Sequence, residues 1–177
     1  QLEKAQAESV TDSLTGIFNR KAFDRQINEL VGKNSVSKSP FALLMVDIDN
    51  FKHINDTYGH QTGDRIIMAI ANKCRQSIRG ADFLARYGGE EFVIILPGAS
   101  LRNGVKKANH ICKSVASTWY RLDEDQDRQT LHVTVSIGVS GIQKADTTTS
   151  IIQRADKALY AAKHAGKNCV CCETDLK

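Results

Sequence analysis

Arg86-Tyr87-Gly88-Gly89-Glu90-Glu91-Phe92-Val93-Ile94-Ile95-Leu96-Pro97 joins two β-prone runs through two glycines and two carboxylates. Paired glycines at such a junction predict a hairpin turn, because glycine accepts the positive φ that tight turns need. The hairpin runs from Phe83–Tyr87 into Phe92–Leu96, and Pro97-Gly98 ends it. Glu90 and Glu91 then stand at the first pleat of the outgoing strand. Successive strand side chains face opposite sides, so the two acids are expected to do different jobs. Glycines beside acids also let a bulky anion approach the backbone. The plain alternative is a solvated hairpin tip.

Upstream, Phe41-Ala42-Leu43-Leu44-Met45-Val46 is continuously apolar, the pattern of a central strand covered on both faces. It ends in Asp47-Ile48-Asp49. A carboxylate at the end of a buried strand needs a partner, since burying the charge alone costs several kcal/mol or more. Asp49 has a structural alternative, capping the next helix. For Asp47 a cation is the better explanation. If the two strands are neighbours, Asp47 and Glu90/Glu91 converge at one edge of the sheet. Oxygen donors without His or Cys select a hard cation such as Mg²⁺, which keeps positions open for phosphate oxygens. Lys52 is within reach of the same phosphates, and Lys163 and Lys167 add positive charge. Such a set suits phosphoryl or nucleotidyl transfer, where catalysis is mainly positioning and neutralisation. Asn55 and Asp64 offer an amide and a carboxylate that could accept from the N–H edge of guanine; both residue types are also common at turns and caps.

At 177 residues the chain is most simply one domain, and its 41% hydrophobic and 25% charged content is ordinary for a soluble globular protein. A net charge of +4 suits an anionic small substrate and lacks the concentrated basic stripe of a nucleic-acid binder. No apolar run approaches the ~20 residues of a membrane span. Residues 1–11 are expected to be a polar connector helix entering from upstream, and residues 12–177 the domain itself. Helical faces follow at Phe23/Ile27/Leu30/Val31, at Ile67/Ile70/Ala71/Cys74/Ile78, at Leu101/Val105/Ala108/Cys112/Val115 and at Ile151/Ala155/Ala158/Leu159/Ala162. Asn19, Ser100 and Ser150 are the expected caps. Gly32–Pro40 is expected as a polar loop, residues 121–130 as a charged loop, His132–Val139 as a strand, and Cys169-Val170 as the start of a last strand. The five cysteines lack zinc-site spacing, and Cys74 and Cys112 fall on apolar helix faces as reduced core residues, which favours the cytoplasm. Hairpin-linked strands mixed with helical crossovers give an α+β fold, a mostly antiparallel central sheet flanked by helices.

The motifs together resemble the GGDEF family, the diguanylate cyclases, in a GGEEF variant. The likeness covers about Asp12 to Asn168. It is carried by Asp12-Ser13-Leu14-Thr15-Gly16 with Asn19-Arg20, and by Asp47-Ile48-Asp49 with Phe51-Lys52 and Asn55-Asp56. Gly59-His60 with Gly63-Asp64, Gly88-Gly89-Glu90-Glu91-Phe92 and Ser136-Ile137-Gly138 continue it. Ala155-Asp156, Ala158-Leu159-Tyr160, Lys163 and Gly166-Lys167-Asn168 complete it. The order of so many separate signatures makes the resemblance specific. It implies a fold like the nucleotidyl cyclases and polymerase palms, and condensation of two GTP into cyclic di-GMP and two pyrophosphates. By similarity, Asp47, the Ile48 carbonyl and Glu90 would hold Mg²⁺, with Mn²⁺ as a substitute. Glu90 would help deprotonate the attacking 3′-hydroxyl, with Glu91 supporting or competing, and Lys52 would stabilise phosphate charge. Asn55 and Asp64 would read guanine, with Phe51 and His60 bordering the pocket. Gly88 and Gly89 would admit the triphosphate, and Lys163 and Lys167 would clamp its outer phosphates. Lys167 stands where arginine is frequent, keeping the charge without the bidentate fork.

One site holds one GTP in this family, so the resemblance implies a homodimer for catalysis. Arg79-Gly80-Ala81-Asp82 resembles the family's inhibitory product site, with cyclic di-GMP as its ligand; the arginine that often completes it is not evident, and Lys107 and His110 lie in that region. A catalytically silent domain that binds cyclic di-GMP predicts damage at the turn or at Asp47, and there is none. A phosphohydrolase predicts a His/Asp cluster that the scattered histidines do not supply. Nucleic acid and membrane contact by this domain are not expected. The expected location is cytoplasmic, with upstream segments free to anchor a longer protein to a membrane.

Overall fold

The computed structural model describes residues 9–122 and 129–176. Its centre is β1, Phe41–Ile48, whose first six residues are all buried. Side chains of a strand alternate between faces, and here each face has its own core. Ala42, Leu44, Val46 and Ile48 join one cluster, and Phe41, Leu43 and Met45 join the other. β2 (Phe83–Arg86), β3 (Glu91–Pro97), β6 (Val135–Gly141) and β7 (Val170–Cys172) complete the sheet, in the order β2-β3-β1-β6-β7. All pairings are antiparallel except β6 with β7. The fold is therefore the expected α+β arrangement.

Helices α1 (Arg20–Ser37) and α5 (Thr148–His164) cover one face, through Phe23, Ile27, Ile151, Ala155 and Leu159. Helices α2 (Phe51–Tyr58), α3 (His60–Ser77) and α4 (Leu101–Ala116) cover the other. β6 is buried throughout because α5 lies on one of its faces and α4 on the other. The α5 face of β6 carries only Ser136, Gly138 and Ser140 opposite Asp47, Met45 and Leu43. A Cβ on Gly138 would run into the backbone of Ala155 and Leu159, and the Ser140 hydroxyl donates to the Ile151 carbonyl at 2.9 Å.

Several local expectations change. α1 continues through Gly32 to Ser37, with a Glu29–Lys33 pair along it and Ser35 and Ser37 hydroxyls donating back to the Gly32 and Lys33 carbonyls. Thr147, not Ser150, is the α5 cap; Ser150 returns the bond from the third helical position. The strand expected at His132–Val139 divides into β5 (Thr130–His132), paired with β4 (Trp119–Arg121), and β6. The break falls where Thr134 is drawn to Asp49. Residues 123–128 of the charged loop lie outside the described residues, as do residues 1–8 of the expected connector helix; Ser9–Thr11 are not helical, and Thr11 bridges Phe18. Asn19 and Ser100 cap as expected.

Candidate active site

β1 and β3 are neighbours, and their register sets Asp47 directly opposite Glu91. One step further the Ile48 N–H donates to the Glu90 carbonyl at 3.2 Å. The convergence expected from the sequence is therefore built into the strand pairing. The turn is closed by Tyr87 and Gly88 N–H groups donating to the Glu91 carbonyl at 2.8 and 3.3 Å. Neither glycine takes a positive φ, contrary to the expectation for a two-glycine turn. A Cβ on Gly88 would stand 2.6 Å from a Glu91 carboxylate oxygen, so a side chain there would displace the Glu91 carboxylate. Glu91 thus lies back against its own turn. Burial pushes its carboxyl upward, and Asp47, Asp156 and Glu90 add like-charge repulsion. Asp156 also approaches Tyr87, over whose ring the Arg20 guanidinium sits at 4.0 Å.

Burial likewise raises Asp47, against the Lys163 ammonium at 2.8 Å and with Glu90 and Asp49 raising it further. Asp49 is neither a cap nor an exposed ligand. Its side chain is only 1% exposed. It accepts from the Ser136 hydroxyl at 2.6 Å, the Thr134 hydroxyl at 2.7 Å, the Asn168 N–H at 2.9 Å and Lys163 at 3.3 Å. This carboxylate ties the β1 end to β6, to α5 and to the turn after α5. The next residue, Asn50, has φ 55° and no side-chain cap, and its amide oxygen accepts from Lys167 at 2.6 Å.

Asn55, on α2, has a buried amide oxygen with no hydrogen-bond partner among the described residues. An unsatisfied buried acceptor costs about 1–3 kcal/mol, so a donor is needed there. The amide rests where a Cβ of Gly63 would stand, and Asp64, exposed on α3, follows at once. Gly59, at φ 88°, makes the corner between the two helices, and the exposed His60 opens α3. Lys52 is exposed on the first turn of α2. Phe51 is buried in the core, its ring beneath Gly63, so it supports the corner more than it lines an open pocket.

Sequence reasoning passed over Arg86. Its guanidinium donates to the Gly89 carbonyl at 2.8 Å and to Asp12 at 3.2 Å. Asp12 also accepts from the Thr15 N–H and hydroxyl at 2.9 and 2.7 Å. Burial opposes ionisation of Asp12, but these partners outweigh it and lower its carboxyl. One arginine therefore holds the glycine turn to the segment before α1. Asp12 and Arg86 stand 74 residues apart, and no local spacing connects them.

The Asp82 carboxylate folds back to accept from the Arg79 N–H at 2.8 Å, leaving the Arg79 side chain exposed. Two hollows meet at this pair. One, about 480 Å³, has Ile17, Phe18, Ile78 and Leu84 among its lining. The other, about 410 Å³, reaches Asn103, Lys106, Lys107 and His110 on α4. Lys107 donates to the Ser77 carbonyl, and Lys106 and His110 are the exposed basic side chains that α4 adds beside Arg79.

Among the described residues no three His, Cys, Asp or Glu side chains gather as a metal cluster. The expected set, two carboxylates and one main-chain carbonyl, needs no such cluster. Its all-oxygen donors and the mutual repulsion of Asp47, Glu90 and Asp49 fit a hard cation.

Acidic groups at adjacent strand ends, over an antiparallel sheet backed by helices, define a domain of the nucleotidyl-cyclase and polymerase-palm type. The family model for "Diguanylate cyclase, GGDEF domain" matches residues 9–169, and the chain belongs to the GGDEF family. It is 39% identical over 163 residues to the response regulator PleD of Caulobacter vibrioides, covering 92% of this chain and 36% of PleD. It is also 39% identical to the diguanylate cyclase VdcA of Vibrio cholerae, covering 95% of this chain and 48% of VdcA. The chain thus spans well under two thirds of these relatives. The GGDEF domain of DgcB from Caulobacter crescentus, solved in complex with c-di-GMP, superposes with a TM-score of 0.89. It is 34% identical, and 94% of this chain and 97% of that one are covered. An active GGEEF domain of a diguanylate cyclase from Vibrio cholerae gives a TM-score of 0.80 at 31% identity, covering 88% of this chain and 96% of that one. Among the described residues no helix is long and apolar enough to cross a membrane.

Proposed function

We propose that this domain is a diguanylate cyclase, condensing two GTP into cyclic di-GMP with release of two pyrophosphates. The observation that carries the reading is the Asp47–Glu91 register beneath the Gly88-Gly89 turn, which sets oxygen donors beside backbone open to phosphate. Diguanylate cyclase relatives and the active GGEEF domain support it. Asp47, the Ile48 carbonyl and Glu90 hold Mg²⁺, or Mn²⁺ in its place; the ion supplies Lewis acidity and charge neutralisation at the phosphates. Glu90, at the mouth of the turn, accepts the proton of the attacking 3′-hydroxyl, and Glu91 supports it from beneath. Lys52 stabilises charge on the phosphates, and Lys163 and Lys167 approach them from α5 and the turn after it.

Guanine selection falls to the corner between α2 and α3. The Asn55 acceptor and the Asp64 carboxylate are met by the N–H groups of guanine, whereas adenine offers no such pair of donors on that edge. His60 borders the pocket. Two such sites face one another in a homodimer, so that each 3′-hydroxyl attacks in line on the partner's nucleotide. Arg79 and Asp82 bind cyclic di-GMP as inhibitor, since a guanidinium forks onto phosphate or guanine. The protein acts in the cytoplasm, where GTP is found.

Incubation with GTP and Mg²⁺, with products separated by chromatography, tests the reaction. Cyclic di-GMP from GTP and no product from ATP is the expected result. Binding of cyclic di-GMP without synthesis under any condition would leave a receptor instead. In the same assay Arg79→Ala is expected to relieve inhibition by added product while changing the initial rate little; equal inhibition in both proteins would remove the inhibitory site.

A further inference from the structure

β7 is the outermost strand of the sheet. Cys169 already belongs to its ladder, its carbonyl accepting from the Ile137 N–H at 3.0 Å, and Cys171 pairs with Gly138. Alternation along the strand puts Cys169 and Cys171 on one face, with Val170 and Cys172 on the other, packed into the core. The Cys169 thiol confirms the direction by donating to the Ala162 carbonyl of α5 at 3.3 Å. The neighbouring β6 residue on that face is Gly138, over which the α5 backbone packs at Ala155 and Leu159, so Cys171 has no β6 side chain as its neighbour. Both thiols are free, half-buried and close enough to interact with each other.

We propose that Cys169 and Cys171 form a two-thiolate site for a soft monovalent cation of the Cu⁺ class. Soft thiolate pairs select such ions over the hard cations of carboxylate sites. A structural Zn²⁺ site takes four protein ligands, and among the described residues no third His, Cys, Asp or Glu gathers with this pair. A direct disulfide is disfavoured by geometry. Two residues apart on a strand lie about 6.6 Å apart, with parallel Cα–Cβ bonds. A disulfide needs Cβ atoms about 3.8 Å apart. Sulfurs bridged by a metal stand farther apart, about 4.6 Å for two bonds of about 2.3 Å. Burial raises both thiols, so binding proceeds by displacement: each S–H loses a proton, two S–Cu bonds form, and no electron is transferred. Affinity therefore rises with pH.

The site adjoins the proposed catalytic centre through one residue. Asn168, immediately before Cys169, donates its N–H to Asp49, and Lys167 binds Asn50. Both residues of this turn have positive φ, Asn168 at 48° and Lys167 at 64°. Drawing the Cys169 sulfur from Ala162 toward a shared ion pulls on that turn and slows turnover. This consequence rests on the cyclase reading; the binding does not.

The test is anaerobic titration of the reduced protein against Cu⁺ held by a coloured bicinchoninate chelator. One Cu⁺ per chain withdrawn from the chelator is expected, together with thiolate-to-copper absorption in the near ultraviolet. Cys171→Ser, which leaves the Cys169 bond to Ala162 intact, is expected to weaken binding at least about tenfold, and Cys169→Ser/Cys171→Ser to abolish it. Joint replacement of Cys74, Cys112 and Cys172 by serine is expected to leave it unchanged. No withdrawal of copper, or equal withdrawal by the double variant, would overturn the proposal whatever the cyclase assay shows.

Discussion

Glu90 and Glu91 are chemically identical neighbours that the hairpin places in different settings. Glu91 is folded over Gly88 and held among carboxylates, whereas Glu90 stands at the bend before β3. The expected consequence is a difference in kind between their variants. Glu90→Gln keeps the shape and removes the charge that both a cation and a 3′-hydroxyl proton require, so kcat should fall by at least about a hundredfold with the unfolding midpoint nearly unchanged. Product formation at the parent's rate would take Glu90 out of the chemistry. These two acids were legible in the sequence, because glycines and carboxylates at a strand junction are unusual. Asp49 was legible only as a charge. The hydroxyls of Thr134 and Ser136 and the Asn168 N–H come to it from more than eighty residues away. No local pattern announces such contacts.

At the scale of elements, strands and helices followed from apolar periodicity, and the errors fell where side chains act on backbone. α1 runs on past Gly32, where serine hydroxyls bond back to its carbonyls, and the strand before Val135 breaks where Thr134 bonds to Asp49. The corner between α2 and α3 yields a sharper expectation. In Gly63→Ala the new methyl meets the Asn55 amide oxygen, a movable side chain, so the helices survive and the amide turns away. KM for GTP should rise about tenfold, about 1.4 kcal/mol, with kcat little altered, and the preference for GTP over ATP should narrow. An unchanged KM would remove Asn55 from base recognition. The link between β6 and α5 yields another. Arg154 forks onto Asp146 at 2.6 and 2.7 Å and also binds Glu173 and the Gly141 carbonyl. Burial disfavours the Asp146 anion, yet Arg154, Ser150 and the Gln143 N–H outweigh it and hold its carboxyl below the ordinary 3.8. A depressed native value gives stability that is complete above about pH 3.8 and lost as pH falls through the native value. Thermal scans should therefore show Asp146→Asn several degrees less stable at pH 7, with the gap closing below pH 3.8. A gap independent of pH would mean that the carboxylate's charge is not what stabilises the loop.

The whole molecule presents its proposed machinery on one edge, where the ends of β1 and β3, the α2–α3 corner and the turn after α5 meet. One such edge has a single turn of Gly88-Gly89 and a single guanine corner, enough for one nucleotide. Cyclic di-GMP contains two, joined by two equivalent bonds, so the proposed mechanism calls for a second copy of the edge to face the first. Arg86 binds the Gly89 carbonyl to Asp12, which links that edge to the segment before α1. The expected kinetic signature is a rate per chain that climbs with protein concentration while dimers are scarce, then levels off. Fusing a dimeric coiled coil upstream of Ser9 should remove the climb and give the plateau rate at low concentration, provided the heptad phase lets the edges face. Shifting that phase by inserting residues one at a time should make activity rise and fall with a period near 3.5 residues, the turn of the coil. A rate per chain that stays flat with dilution, in a protein shown by sedimentation to be monomeric, would mean that a single edge completes both bonds and would end the facing-dimer mechanism.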